Sequence, residues 1–190
     1  RIRMAVLNKL YCPQQQTFAK RIYQGKRVTM PAISMLTPAL FGLLDAKDAR
    51  VTSTLKYVRQ HLWDSSMCGL YRYPLHYQPW DEIPYSGPWV TYTCWLARVY
   101  ILRGELDQAH ACLKWVVDHV PADSHLIPEH FSIAHQNRRG FHRIYYEPVL
   151  AESWATSEFL FACMDYQKAL SDRLNIMSNS EPSQLVPSIG

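Results

Sequence analysis

The chain has 190 residues, of which 48% are hydrophobic and 13% aromatic, and a formal net charge of +4. This length and apolar fraction predict one globular domain with a sizeable core. The basic residues are scattered rather than aligned along a stripe, so we expect no nucleic-acid partner. No stretch approaches about 18 apolar residues without a charge, so we expect no membrane span.

The five cysteines predict neither a disulfide framework nor a metal site. Cys94, Cys112 and Cys163 occur in apolar helical patterns, where cysteine behaves as a small hydrophobe. No CxxC pair is present, and no histidine and cysteine residues show zinc-ligand spacing. We therefore expect neither a bound metal nor another cofactor. The odd number of cysteines favours a reducing, cytoplasmic compartment.

Hydrophobic spacing in the first third of the chain predicts helices separated by loops. Residues 2–11 have the pattern of a helix end, and residues 16–30 are compatible with either a short hairpin or an extended loop. Asp48 is a candidate N-cap for an amphipathic helix over residues 49–62, because apolar residues recur there at helical intervals.

An apolar segment between these elements contains two prolines. Pro31 suits the first turn of a helix that runs to about Leu44, and Pro38 is expected to kink or split that helix. Residues 63–88 are predicted to form a loop rich in Tyr, Pro and Trp. A loop of that length is unusual in a compact domain unless it has a function.

The second half of the chain predicts a pair of helices and a long final helix. The pair covers residues 89–103 and 105–119, and we expect antiparallel packing because Gly104 separates two apolar stripes. A second long loop follows, and the final helix is predicted to span about residues 151–174. No strands alternate with these helices, so the predicted fold class is all-α.

Four short segments occur in a specific order, at residues 69–74, 86–89, 126–130 and 150–160. In that order they resemble the C-terminal half of the catalytic domain of glycoside hydrolase family 15, which holds the glucoamylases, glucodextranases and some trehalases. The resemblance implies an (α/α)6 barrel of twelve helices. About half of the barrel would lie in residues 1–174, followed by a polar, disordered tail over residues 175–190.

The resemblance also implies roles for individual residues. Glu129 would be the general base of an inverting glycosidase, and Arg72 would donate hydrogen bonds to the non-reducing glucose. Trp89 and Trp154 match tryptophans near the substrate pocket and beside the base, although packing in the core is an equal alternative. His130 replaces the glutamine that is common in the family. Without the resemblance, Glu129 would be interpreted as a solvent-exposed loop residue and Arg72 as a surface ion-pair partner.

The implied activity is an exo-acting α-glucosidase that releases glucose from an α-glucan or a small α-glucoside. The family's general acid belongs to a Trp-Glu motif before the arginine loop, and no Trp-Glu pair occurs here. We therefore expect the chain to be inactive without an N-terminal half of the same domain. Two alternatives stay open: a non-catalytic sugar-binding or regulatory module, and a tetratricopeptide-like protein-interaction scaffold, suggested by Gly104 and Ala109.

Overall fold

The computed structural model describes residues 1–65, 68–74, 87–120, 126–131 and 151–180. Within these ranges the chain is mainly helical, as predicted. The six α-helices, in chain order, are α1 Ile2–Leu10, α2 Thr37–Leu40, α3 Ala49–Leu62, α4 Val90–Arg103, α5 Leu106–His119 and α6 Ser153–Ser180.

Three short antiparallel hairpins accompany these helices. They consist of β1 Tyr11–Cys12 with β2 Thr17–Phe18, β3 Arg21–Tyr23 with β4 Lys26–Val28, and β5 Trp63–Asp64 with β6 Gly69–Leu70. Of the two alternatives for residues 16–30, the hairpin is therefore correct. Its turn places Gln24 and Gly25 at φ 47° and 73°, a pair of positive values that suits a two-residue hairpin turn.

The predicted helix from Pro31 to Leu44 is much shorter in the structure. A 3₁₀ turn over Ile33–Leu36 leads into α2, and Pro38 lies in the first turn of α2. A proline is tolerated there because its missing N–H has no partner inside the helix. The prediction that Pro38 splits the segment is confirmed, whereas the predicted helix length is wrong.

Asp48 caps α3, as its position predicts. Its carboxylate accepts the backbone N–H of Arg50 at 2.8 Å and also contacts the guanidinium of Arg50 at 2.6 Å. The side-chain hydrogen bond from Arg50 is the main reason that the pKa of Asp48 falls to about 2. The cap and the apolar stripe together fix α3 against the core.

Helix α4 is the central element of the core. Gly104 ends it at φ 76° and donates its N–H to the carbonyl of Ile101 at 2.9 Å. After a two-residue connection, α5 packs back against α4, as expected for an antiparallel pair, and α6 packs against both. The buried side chains that these three helices share include Leu96, Val99, Val116 and Ala162.

Helix α6 is longer than predicted. It continues to Ser180, so residues 175–180 are helical rather than part of the expected tail. Arg98 of α4 holds α6 through Glu158 at 3.3 Å and Asp165 at 2.8 Å. Among the described residues, no helix combines the length and apolar character needed to cross a membrane.

Candidate functional site

The loop that contains Arg72 and the loop that contains Glu129 meet at the start of α4. The backbone N–H of Trp89, the N-cap residue, donates to the carbonyl of Leu70 at 2.8 Å. The next N–H, that of Val90, donates to the carbonyl of Glu129 at 3.1 Å. Residues 69–74 and 126–131 are therefore both attached to the same helix terminus.

A buried hydroxyl strengthens this attachment. Oγ1 of Thr93 accepts the N–H of Leu70 at 3.0 Å and donates to the carbonyl of Trp89 at 2.8 Å. Thr93 is fully buried, so both bonds are shielded from competing water. Because a helix start leaves backbone groups without intrahelical partners, these loop contacts also satisfy part of α4.

The guanidinium of Arg72 lies on aromatic rings. Its Cζ atom is 4.8 Å from the ring centroid of Trp89 and 5.3 Å from that of Tyr73. Such contacts restrict the orientation of a guanidinium. Arg72 is half-buried, so it is a positioned arginine that retains access to solvent.

Glu129 is held by its backbone between two buried neighbours. Pro128 and His130 are buried, whereas Glu129 itself is half-buried. Glu129 is therefore not the fully solvent-exposed loop residue that composition alone would suggest. The structure brings the backbone of Glu129 and the guanidinium of Arg72 to the same end of α4.

His130 is completely buried beside Trp89. The two residues form an isolated antiparallel bridge, and their ring centroids lie 5.4 Å apart. Burial lowers the pKa of His130 to about 4. His130 is therefore neutral at pH 7 and adds no positive charge to this end of α4.

Trp154 is connected to Trp89 through the ring of Tyr92, a residue that the sequence does not mark as a candidate. Tyr92 stacks on Trp89 at 5.4 Å and meets the edge of Trp154 at 6.2 Å. Trp154 is 43% exposed, so it is not a core residue. Tyr92 was detectable in principle, because it lies three positions after Trp89 on the same helix face.

Glu82, Glu147 and Glu152 are the first carboxylates to test if a general acid lies within this chain. The carboxylate of Glu152 accepts the N–H of Ala155 at 3.1 Å and thereby caps α6, whereas Glu82 and Glu147 lie outside the described residues. All five cysteines are free thiols. Within the described part of the chain, no group of three His, Cys, Asp or Glu residues is arranged to hold a metal ion.

Comparison with known proteins found no family model, no curated protein and no solved structure that matches this chain. The candidate site must therefore be interpreted from its own residues. Those residues are an arginine on an aromatic surface, a carboxylate on the neighbouring loop, and a partly exposed tryptophan.

Proposed function

We propose that this chain is about half of an (α/α)6 catalytic domain similar to glycoside hydrolase family 15. The complete domain would be an inverting, exo-acting α-glucosidase that releases glucose from the non-reducing end of its substrate. The observation that carries the proposal is the attachment of the Arg72 and Glu129 loops to the same residue pair, Trp89 and Val90.

Each residue has a distinct task in this proposal. The planar guanidinium of Arg72 donates to adjacent hydroxyls of the terminal glucose. Glu129 accepts a proton from the water that attacks the anomeric carbon. The indole N–H of Trp89 has no hydrogen-bond partner among the described residues, as is also true of Trp95 and Trp115. The ring of Trp89 is buried under the guanidinium of Arg72, so in this proposal it supports Arg72 from below.

The general acid would come from the N-terminal half of the domain. In an inverting enzyme the two carboxyl groups lie about 6.5–9.5 Å apart, which leaves room for the attacking water. The second half of the barrel would also cover apolar surface, since an open half-barrel exposes the side chains that face its missing neighbours. Exposed apolar side chains of α6 support this view; they include Leu160, Phe161 and Met164.

Sugar binding by the purified chain tests the proposal. We expect saturable heat of binding with at least one of maltose, isomaltose and trehalose, measured by isothermal titration calorimetry. Arg72→Met should weaken that binding at least tenfold, and Arg173→Met, which changes an exposed arginine of α6, should leave it unchanged. Absence of binding for all three sugars would contradict the proposal.

A non-catalytic sugar-binding module is the second candidate, and the exposed ring of Trp154 favours it. An aromatic ring that is open to solvent can stack on the apolar face of a pyranose without any catalysis. Coding sequence upstream of Arg1 discriminates between the candidates. A Trp-Glu motif there would supply the general acid of a hydrolase, whereas its absence would favour the binding module.

A further inference from the structure

A second groove lies at the opposite end of α4 from Trp89. It is formed by α3, the start of β5 and the C-terminal end of α4, and its volume is about 450 Å³. Tyr100, which lines it, is eleven residues after Trp89, a distance of about 16 Å along a helix. The groove is therefore separate from the candidate sugar site.

Two cations line this groove without an ionic partner among the described residues. Arg59 lies over the rings of Trp63 at 5.2 Å and Tyr100 at 5.9 Å, and Lys56 is exposed to solvent one helical turn away. The groove has one carboxylate, that of Glu105, and Arg103 already binds it at 2.7 Å. The charge left available to a ligand is therefore positive.

The buried hydroxyl of Tyr100 independently indicates that a ligand binds in the groove. Tyr100 is only 2% exposed, and its hydroxyl lies beside the guanidinium of Arg59, which can donate to the hydroxyl oxygen but cannot accept from it. The hydroxyl proton therefore has no acceptor in the described structure, which is unfavourable for a buried donor. Burial raises the pKa of Tyr100 to about 12, so the group is a hydrogen-bond donor at pH 7 rather than an anion.

We propose that this groove binds a small organic oxyanion, either a phosphate monoester or a carboxylate. Arg59 and Lys56 supply the charge, and the hydroxyl of Tyr100 donates a hydrogen bond to an oxyanion oxygen. Leu55 and Trp63 form an apolar wall for the body of the ligand. An arginine fixed on aromatic rings suits this task because little side-chain freedom is lost on binding.

Thermal unfolding of the full 190-residue chain tests the proposal at constant ionic strength, so that screening does not vary between samples. The probes are phenyl phosphate, benzoate and inorganic phosphate, with phenol as the neutral control. We expect a saturable rise in Tm with phenyl phosphate or benzoate and none with phenol. Comparison of the first two distinguishes a phosphate ligand from a carboxylate, and inorganic phosphate shows whether the apolar wall contributes.

Three variants separate ligand binding from structural effects. Arg59→Met should weaken binding at least tenfold, and Lys168→Met, which removes an exposed charge on α6, should leave it unchanged. Tyr100→Phe should also weaken binding, but without lowering the Tm of the unliganded chain, because it removes a hydroxyl whose proton has no acceptor. The proposal is overturned if no anion gives a saturable rise, or if Tyr100→Phe and Arg59→Met leave the rise unchanged.

Discussion

Gly69 lies so close to Trp115 that no larger residue fits between β6 and α5. A Cβ atom on Gly69 would be 2.6 Å from Cζ2 of Trp115 and 2.5 Å from Cβ of Pro88. Both neighbours are rigid rings in a buried environment, so neither can retreat by rotating a flexible side chain. This contact fixes the distance between the β5–β6 hairpin and the start of α4.

Gly69→Ala should therefore destabilise the chain. We expect the free energy of unfolding to fall by about 1–3 kcal/mol, the usual cost of overpacking a buried position. Urea denaturation followed by circular dichroism measures this change. Trp115→Phe removes part of the blocking ring, so the double variant should lose less stability than the sum of the single variants. Full additivity would contradict the proposed steric cause.

The buried imidazole of His130 predicts a pH dependence of stability. The folded chain binds a proton at this site with a pKa of about 4, whereas the pKa of an unperturbed histidine is 6.5. At pH values between these two, the unfolded chain binds more protons than the folded chain, so acid favours unfolding. Stability is fully present above pH 6.5 and is lost as the pH falls toward 4, by about 3 kcal/mol in total.

His130→Gln provides the matched test. Glutamine has a similar size and hydrogen-bonding capacity but does not titrate, so this variant should lose much less stability between pH 7 and pH 4.5 than the parent chain. Urea midpoints at these two pH values give the comparison. Equal losses in both proteins would assign the acid sensitivity to other groups, and His130 would then not be the residue responsible.

In a complete enzyme that contains this half, Glu129→Gln should lower the rate of hydrolysis by ~10²–10⁴-fold. The amide preserves the shape of the side chain but cannot accept a proton from water, so substrate binding should be largely retained. Glucose release from maltose, isomaltose and trehalose measures the effect. Asp107→Asn is the control, because Asp107 is an exposed carboxylate of α5 and its replacement should leave kcat nearly unchanged.

The isolated 190-residue chain should show no turnover in the same assay, because the proposal assigns the donor for the leaving oxygen to the N-terminal half of the domain. Turnover that disappears when a carboxylate of this chain is changed would contradict that expectation. Glu82, Glu147 and Glu152 would then be the first candidates for the general acid.

Local signals made part of this fold predictable. Asp48 and Gly104 were recognised because a cap and a helix-ending glycine depend on residues within one turn. The sequence does not predict the helical extension over residues 175–180, because its Asn and Ser residues have low intrinsic helix propensity. The sequence Gln24–Gly25 is not a specific hairpin signal, so the sequence leaves both a hairpin and an extended loop open for residues 16–30.

The candidate site was less accessible to sequence reasoning. Nothing in the residues around Arg72 or Glu129 indicates that both loops attach to Trp89, because that attachment uses backbone groups far apart in sequence. Their proximity was expected only from the family resemblance. The burial of His130 is likewise not evident from the sequence, since a histidine in a loop directly after a glutamate is usually exposed.

The hydrogen bonds around Trp89 also determine how this region opens. The amides of Tyr71, Trp89 and Phe131 donate to the carbonyls of Leu62, Leu70 and Pro88, respectively. Each bond holds a neighbouring segment in place, so fraying at the start of α4 would release both loops together. These amides should therefore exchange their hydrogens for deuterium as one cooperative unit, and the arginine and the carboxylate would be lost from the surface in a single event.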